Sequence, residues 1–91
     1  MSTAAVKIKI MPTSPDANLE NIKESAKSMI EEMGGGNPTF TEEPIAFGLK
    51  AIIALFAWPE EKEFEDLENE LKNIEDVNSI QMIDIRRAFG S

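Results

Sequence analysis

Val6-Lys7-Ile8-Lys9-Ile10-Met11-Pro12 alternates apolar and charged side chains with a period of two. A strand sends successive side chains to opposite faces, so Val6, Ile8 and Ile10 point to a core while Lys7 and Lys9 point away from it. Pro12 ends the run, because proline has no N–H to give to a ladder. A strand is expected over about residues 5–11. Its one-sided pattern means that the sheet it joins has a face that must be covered and a face that stays open.

The covering elements follow. Thr13-Ser14-Pro15-Asp16 is turn chemistry. Leu19, Ile22, Ala26, Met29, Ile30 and Met33 then recur at steps of three and four, which stacks them on one face of a helix over about residues 16–33. Pro15 and Asp16 suit its start, where a missing N–H costs nothing and a carboxylate meets the positive end of the dipole. Gly34-Gly35-Gly36 ends it, since glycine takes the left-handed C-cap conformation readily. A short, irregular strand is expected over about 39–43, interrupted by Pro44 as edge strands allow. Leu49 to Ala57 is apolar except for Lys50 and reads as a central strand. Phe64, Leu67, Leu71 and Ile74 form the stripe of a second helix over about 63–74. In the last strand, about 79–87, Ile80 and Met82 share one phase and Ile83 and Ile85 the other. That change of phase implies either a β-bulge between Met82 and Ile83 or a strand buried on both faces.

The order is strand, helix, strand, strand, helix, strand. Two helices cover only one face of four strands. The right-handed crossover rule then favours an α+β, ferredoxin-like βαββαβ sandwich with spatial order 4-1-3-2, a four-stranded antiparallel sheet carrying both helices on one side. Residues 1–91 are read as a single domain.

Composition removes several function classes. The 91 residues contain no histidine, cysteine or tyrosine, which excludes Ser-His-Asp and Cys-His catalysis, thiol redox chemistry, disulfides and the usual zinc sites. The net charge is −8. Residues 60–76 hold nine acids and two lysines, so this one segment contributes −7. Such a balance opposes a nucleic-acid clamp and suits a basic partner. Ala51 to Trp58 is the longest apolar stretch, far short of the roughly 20 residues that cross a bilayer. No stretch reads as a signal peptide, and the chain is expected to be cytoplasmic, with no membrane partner.

No motif carries catalysis or holds a cofactor or metal. The glycine triplet follows a helix and precedes Asn37-Pro38, whereas a phosphate loop sits between a strand and a helix N-terminus. The pairs Glu61 with Glu65 and Asp66 with Glu70 lie on an outer helix face, where both partners are solvated, and general acid–base work needs split environments. An RNA-binding sheet would offer aromatic residues on its open face, and the matching strands here offer Lys7, Lys9, Lys50 and Phe56. Two places break the core logic. Phe47-Gly48, at a strand junction, either plugs one end of the core or projects as an aromatic anchor. The ending Asp84-Ile85-Arg86-Arg87-Ala88-Phe89-Gly90-Ser91 is either a charge-balancing terminus or a contact arm.

Glu43-Pro44-Ile45-Ala46-Phe47-Gly48-Leu49-Lys50-Ala51, together with Asp84-Ile85-Arg86-Arg87 and the opening Val6 to Pro12, resembles archaeal translation elongation factor 1-beta. The resemblance runs from about Ala5 to Phe89. It implies a guanine nucleotide exchange factor, not itself an enzyme, whose partner is the GTPase elongation factor 1-alpha in its GDP-bound and nucleotide-free forms. It implies partner-binding residues Phe47, Gly48, Arg86, Arg87 and Phe89, with Phe47 matching an aromatic that packs into the GTPase in eukaryotic relatives. Those relatives also place a lysine near the C-terminus toward the partner's Mg²⁺ site, and this chain has no lysine after Lys72. Either Arg86 or Arg87 supplies that charge, or exchange proceeds by displacing the switch elements alone. A monomer is the favoured state. The alternative is a regulatory or ligand-binding module of the same fold that self-associates through its open sheet face.

Overall fold

The computed structural model describes residues 2–87. Its elements run β1 Thr3–Pro12, α1 Leu19–Glu32, β2 Gly36–Pro44, β3 Lys50–Pro59, α2 Phe64–Lys72 and β4 Val77–Arg87. The sheet order is β2-β3-β1-β4 and every pairing is antiparallel. Read from the other edge, this is the 4-1-3-2 order, and the fold is ferredoxin-like.

Strand β1 lies between β3 and β4, and its alternation decides the two faces. Val6 sits opposite Phe56, Ile8 opposite Ala54 and Ile10 opposite Ile52. These six are buried, and Ile22, Ala26 and Ile30 of α1 and Leu67 and Leu71 of α2 close the layer above them. Lys7 pairs with Leu55 and Lys9 with Ile53 on the other face, which no helix covers. Phe56, Trp58 and Phe64 extend the core through two edge-to-face contacts, with centroids 6.3 and 6.4 Å apart. Among the described residues no polar or charged side chain is buried.

Helix α1 begins later than Pro15 and Asp16. Ala17 donates to the Ser14 carbonyl in a turn, and Asn18 takes the N-cap, its Oδ1 accepting from the Asn21 amide at 3.2 Å. An Asn side chain satisfies an orphan N–H that neither Pro15 nor Asp16 reaches. At the other end Gly34 has φ 105°, donates to Glu31, and Gly35 donates to Ile30, which is a Schellman closure. The last turn of α1 has no basic residue. Lys62, from the β3–α2 connection, supplies one: its Nζ donates to the Met33 carbonyl at 2.7 Å, while its own carbonyl accepts from Trp58 Nε1 at 3.2 Å.

Three strand and helix boundaries also differ from the sequence pattern. Strand β2 starts at Gly36, not Thr39, and the register shift between Gly36 and Thr39 accommodates Asn37, with φ 50°, and Pro38. A bulge on an edge strand is where a proline fits. Strand β4 starts two residues early, at Val77. Helix α2 stops at Lys72, and Ile74 is buried from the tight turn beyond it. The phase change in β4 is a bulge: Ile8 faces Met82 but Lys7 faces Asp84, leaving Ile83 without a partner. Ile85 is back in phase with Val6 yet 47% exposed. Eleven residues of strand span about 36 Å, and the nine of α2 only about 13.5 Å, so the sheet outruns its cover.

Lys23 of α1 clasps Glu42 of β2 at 2.7 Å, with Glu20 at 3.5 Å from the same ammonium. The hydrogen bond to Glu42 holds the Lys23 ammonium above its ordinary 10.5, and the same bond holds the Glu42 carboxyl below its ordinary 4.5. The glutamate side of this clasp is fully stabilising above 4.5 and is lost as the pH falls through the lower folded value. Glu42→Gln is therefore expected to lose less stability than the parent chain on acidification below 4.5, measured by urea unfolding across an acid series. In the core, Leu67→Ala is expected to cost about 2–5 kcal/mol by the same measurement.

Candidate functional site

Strands β2 and β3 are joined by the tight turn Ala46–Gly48. Pro44 pairs with Lys50, Ile45 donates to the Leu49 carbonyl at 2.7 Å, and Leu49 donates back to Ala46 at 3.3 Å. The chain must reverse inside this closure. It does so with two successive left-handed residues, Phe47 at φ 63°, ψ 30° and Gly48 at φ 78°. Glycine adopts this region freely, whereas a bulky residue there carries about 1 kcal/mol of strain. The Phe47 ring gains no core contact in return, for it is 94% exposed. Phe47 therefore does not plug the core; its ring projects into solvent.

The candidate arginines lie at the other end of the molecule. Arg87 sits opposite Ala4, whereas Ile52, near the turn, sits opposite Ile10. Those two levels are about 20 Å apart along β1, and Phe47 projects beyond the nearer one. Arg86 Nε donates to Asp84 Oδ2 at 3.1 Å, and Arg87 Nη1 approaches Glu60 Oε2 at 3.8 Å. Both arginine side chains are largely exposed. Phe89 falls outside the described residues. The structure therefore does not gather the predicted residues into one pocket, and Phe47-Gly48 and Arg86-Arg87 mark opposite ends of an elongated body whose extents are 43 × 21 × 18 Å.

Between the two ends lies the open face. A groove of about 610 Å³ runs over it, lined by Lys7, Lys9, Thr41, Ile53, Gln81 and Ile83 among others. Leu55 is 48% and Ile83 43% exposed. The aromatic residue offered for an RNA-type surface is absent from this face: Phe56 is in phase with Val6 and buried, and Lys50 shares that phase. The outer carboxylates Glu61, Glu65, Asp66 and Glu70 are all exposed, so their environments are not split. Among the described residues no group of three or more His, Cys, Asp or Glu is placed to hold a metal ion, and no helix is long and apolar enough to cross a membrane. The Lys62 cap and the Lys23–Glu42 clasp were not visible in the sequence, because each joins residues far apart in the chain.

A family model described as the EF-1 guanine nucleotide exchange domain matches residues 5–88. The chain is 39% identical over 89 residues to elongation factor 1-beta of Methanocaldococcus jannaschii, covering 97% of this chain and 100% of that protein. It is 40% identical over 88 residues to elongation factor 1-beta of Methanosarcina barkeri, covering 96% and 99%. Among solved structures, the ACT domain from GTP pyrophosphokinase of Chlorobium tepidum superposes with a TM-score of 0.61 at 13% identity, covering 87% of this chain and 96% of that one. The last likeness concerns the fold alone.

Gly48 tests the built-in nature of the turn. A Cβ there would meet only Pro15 Cβ, at 3.9 Å, so the space is open and the backbone angle alone resists it. Gly48→Ala is expected to lower the unfolding free energy by about 1 kcal/mol, measured by chemical denaturation.

Proposed function

The chain belongs to the family of EF-1 guanine nucleotide exchange domains, and from that premise we propose that it promotes GDP release and GTP loading on elongation factor 1-alpha. The observation that carries the reading is Phe47: an aromatic side chain held in a preformed, strained turn and offered almost wholly to solvent. Exposed aromatic anchors concentrate binding energy, and a turn whose backbone is already closed needs no backbone ordering on docking.

Exchange requires no chemistry on this chain. Only differential affinity shifts an equilibrium, so the factor must bind the nucleotide-free GTPase more tightly than the GDP-bound one. By linkage the GTPase then holds GDP less tightly. A chain without histidine, cysteine or a phosphate loop is sufficient for this task. Arg86 and Arg87, at the end remote from Phe47, bring cationic groups that would compete with the partner's Mg²⁺, whose charge anchors the nucleotide phosphates. Phe47 anchors one end while the arginine end works at the nucleotide.

The direct measurement is release of fluorescent GDP from elongation factor 1-alpha into excess GTP. Substoichiometric amounts of this protein are expected to accelerate it, and an unchanged rate with folded protein and active GTPase overturns the proposal. Phe47→Ala is expected to weaken the complex by about 2 kcal/mol, near 30-fold in Kd. Its melting temperature should stay that of the parent chain, because the ring packs on nothing.

A further inference from the structure

We infer that the open sheet face is itself a docking surface, and that it takes an acidic, partly apolar patch of the partner GTPase. The inference rests on the exchange reading above and adds to it which face lies against the partner and with what chemistry.

Three observations carry it. First, the face mixes apolar and polar groups as an interface does: Leu55 and Ile83 are exposed on it, and a groove of about 610 Å³ brings Ile53, Met82 and Ile83 together with Lys7, Lys9, Thr41, Glu43 and Gln81. Second, charge is divided between the two sides of the molecule. Residues 60–76, at −7, form α2 and its flanks on the covered side of the sheet. Lys7 and Lys9 stand on the open side, and neither makes an ion pair among the described residues. An acidic surface is thus repelled by the covered side, whereas the open side sets three cations, Lys7, Lys9 and Arg86, against two carboxylates, Glu43 and Asp84, so the difference between the sides favours the open face for such a surface. Third, the face is continuous with both ends. Arg86 lies opposite Ala5, which lies opposite Ala57, in the same phase as Lys7 and Lys9. Phe47 projects beyond the far end of the same strands. A rigid partner that holds both ends lies along one side of the molecule between them, and the open side carries a groove along that path. Glu43 and Asp84 are the counter-charges on this side, and Asp84 is engaged with Arg86.

A second copy fits the surface less well. Open face against open face brings Lys7 and Lys9 over their own equivalents. Open face against the acidic side of another copy is a heterologous contact, which adds molecules without closing.

The test compares the parent chain with Lys7→Glu/Lys9→Glu, with Leu55→Glu, and with Lys27→Glu/Lys72→Glu, which makes the same charge change on the helices. Leu55→Glu places its carboxylate beside Lys7 across the strands, so it serves if the double reversal fails to fold. Each folded protein is titrated into nucleotide-free elongation factor 1-alpha, and GDP release is followed in parallel. The open-face variants are expected to raise Kd about tenfold or more, with the helix variant within about twofold of the parent. Parent-like affinity in the open-face variants, or an equal loss in the helix variant, overturns the inference. So does a parent dimer, seen by sedimentation, that Leu55→Glu dissolves, since the face then belongs to a second copy. So does a loss confined to tRNA binding in Lys7→Glu/Lys9→Glu with GTPase affinity intact. If the parent chain forms no complex at all, the exchange reading fails and takes this inference with it; a parent complex that the variants leave unchanged refutes this inference alone.

Discussion

A chain of this length has helix enough for one side of a four-stranded sheet. Everything else in the structure follows from that one-sided cover. Strand β1 sits in the middle with a strict alternation, and each of its partners must present an apolar residue opposite Val6, Ile8 and Ile10. Where β4 would fall out of step, a bulge at Ile83 restores the phase. Where α1 lacks a cation for its last carbonyls, Lys62 reaches over from the β3–α2 connection and supplies one. The covered side is completed by local repairs of this kind, and the other side is left to solvent.

The sheet and its order were legible because periodicity is a local property. Val6 to Ile10 and the stripe Phe64-Leu67-Leu71-Ile74 each announce a face without reference to the rest of the chain. Boundaries were less legible where two local signals compete. Pro15 and Asp16 are good first-turn residues, but Asn18 offers a side-chain oxygen at the right distance and wins the cap. The continuous run Leu49 to Ala57 hides its own phase, because both faces of a central strand are apolar. Only its pairing with β1 shows that Phe56 belongs to the core and Leu55 to the open side.

The candidate site divides in the same way. Phe47-Gly48 was visible as an oddity in the sequence, which left a core plug and a projecting ring both open, and the family resemblance favoured projection, but only the backbone shows that the ring stands clear of the fold. That depends on two consecutive left-handed residues, which no periodicity reports. The separation of Phe47 from Arg86-Arg87 is a matter of register, and it becomes readable only when β1 links the start of β3 to the end of β4. The family assignment and the geometry are complementary here. One names the kind of process, and the other shows that the described residues the resemblance singles out lie at the two ends of the body and not in one pocket.

The two irregularities at the sheet edges have a consequence for life in a crowded solution. An exposed edge strand is a template on which another chain can add by backbone pairing, and an apolar open face beside it would aid such growth. Here β2 carries Pro38 next to a register shift and ends at Pro44, and β4 is bent at Ile83 with Asp84, Arg86 and Arg87 beyond it. Neither edge offers a long, flat row of donors and acceptors. The protein is thereby protected against fibre-like assembly without hiding the apolar residues on its open side, and a surface suited to a partner can stay uncovered without becoming a surface for aggregation.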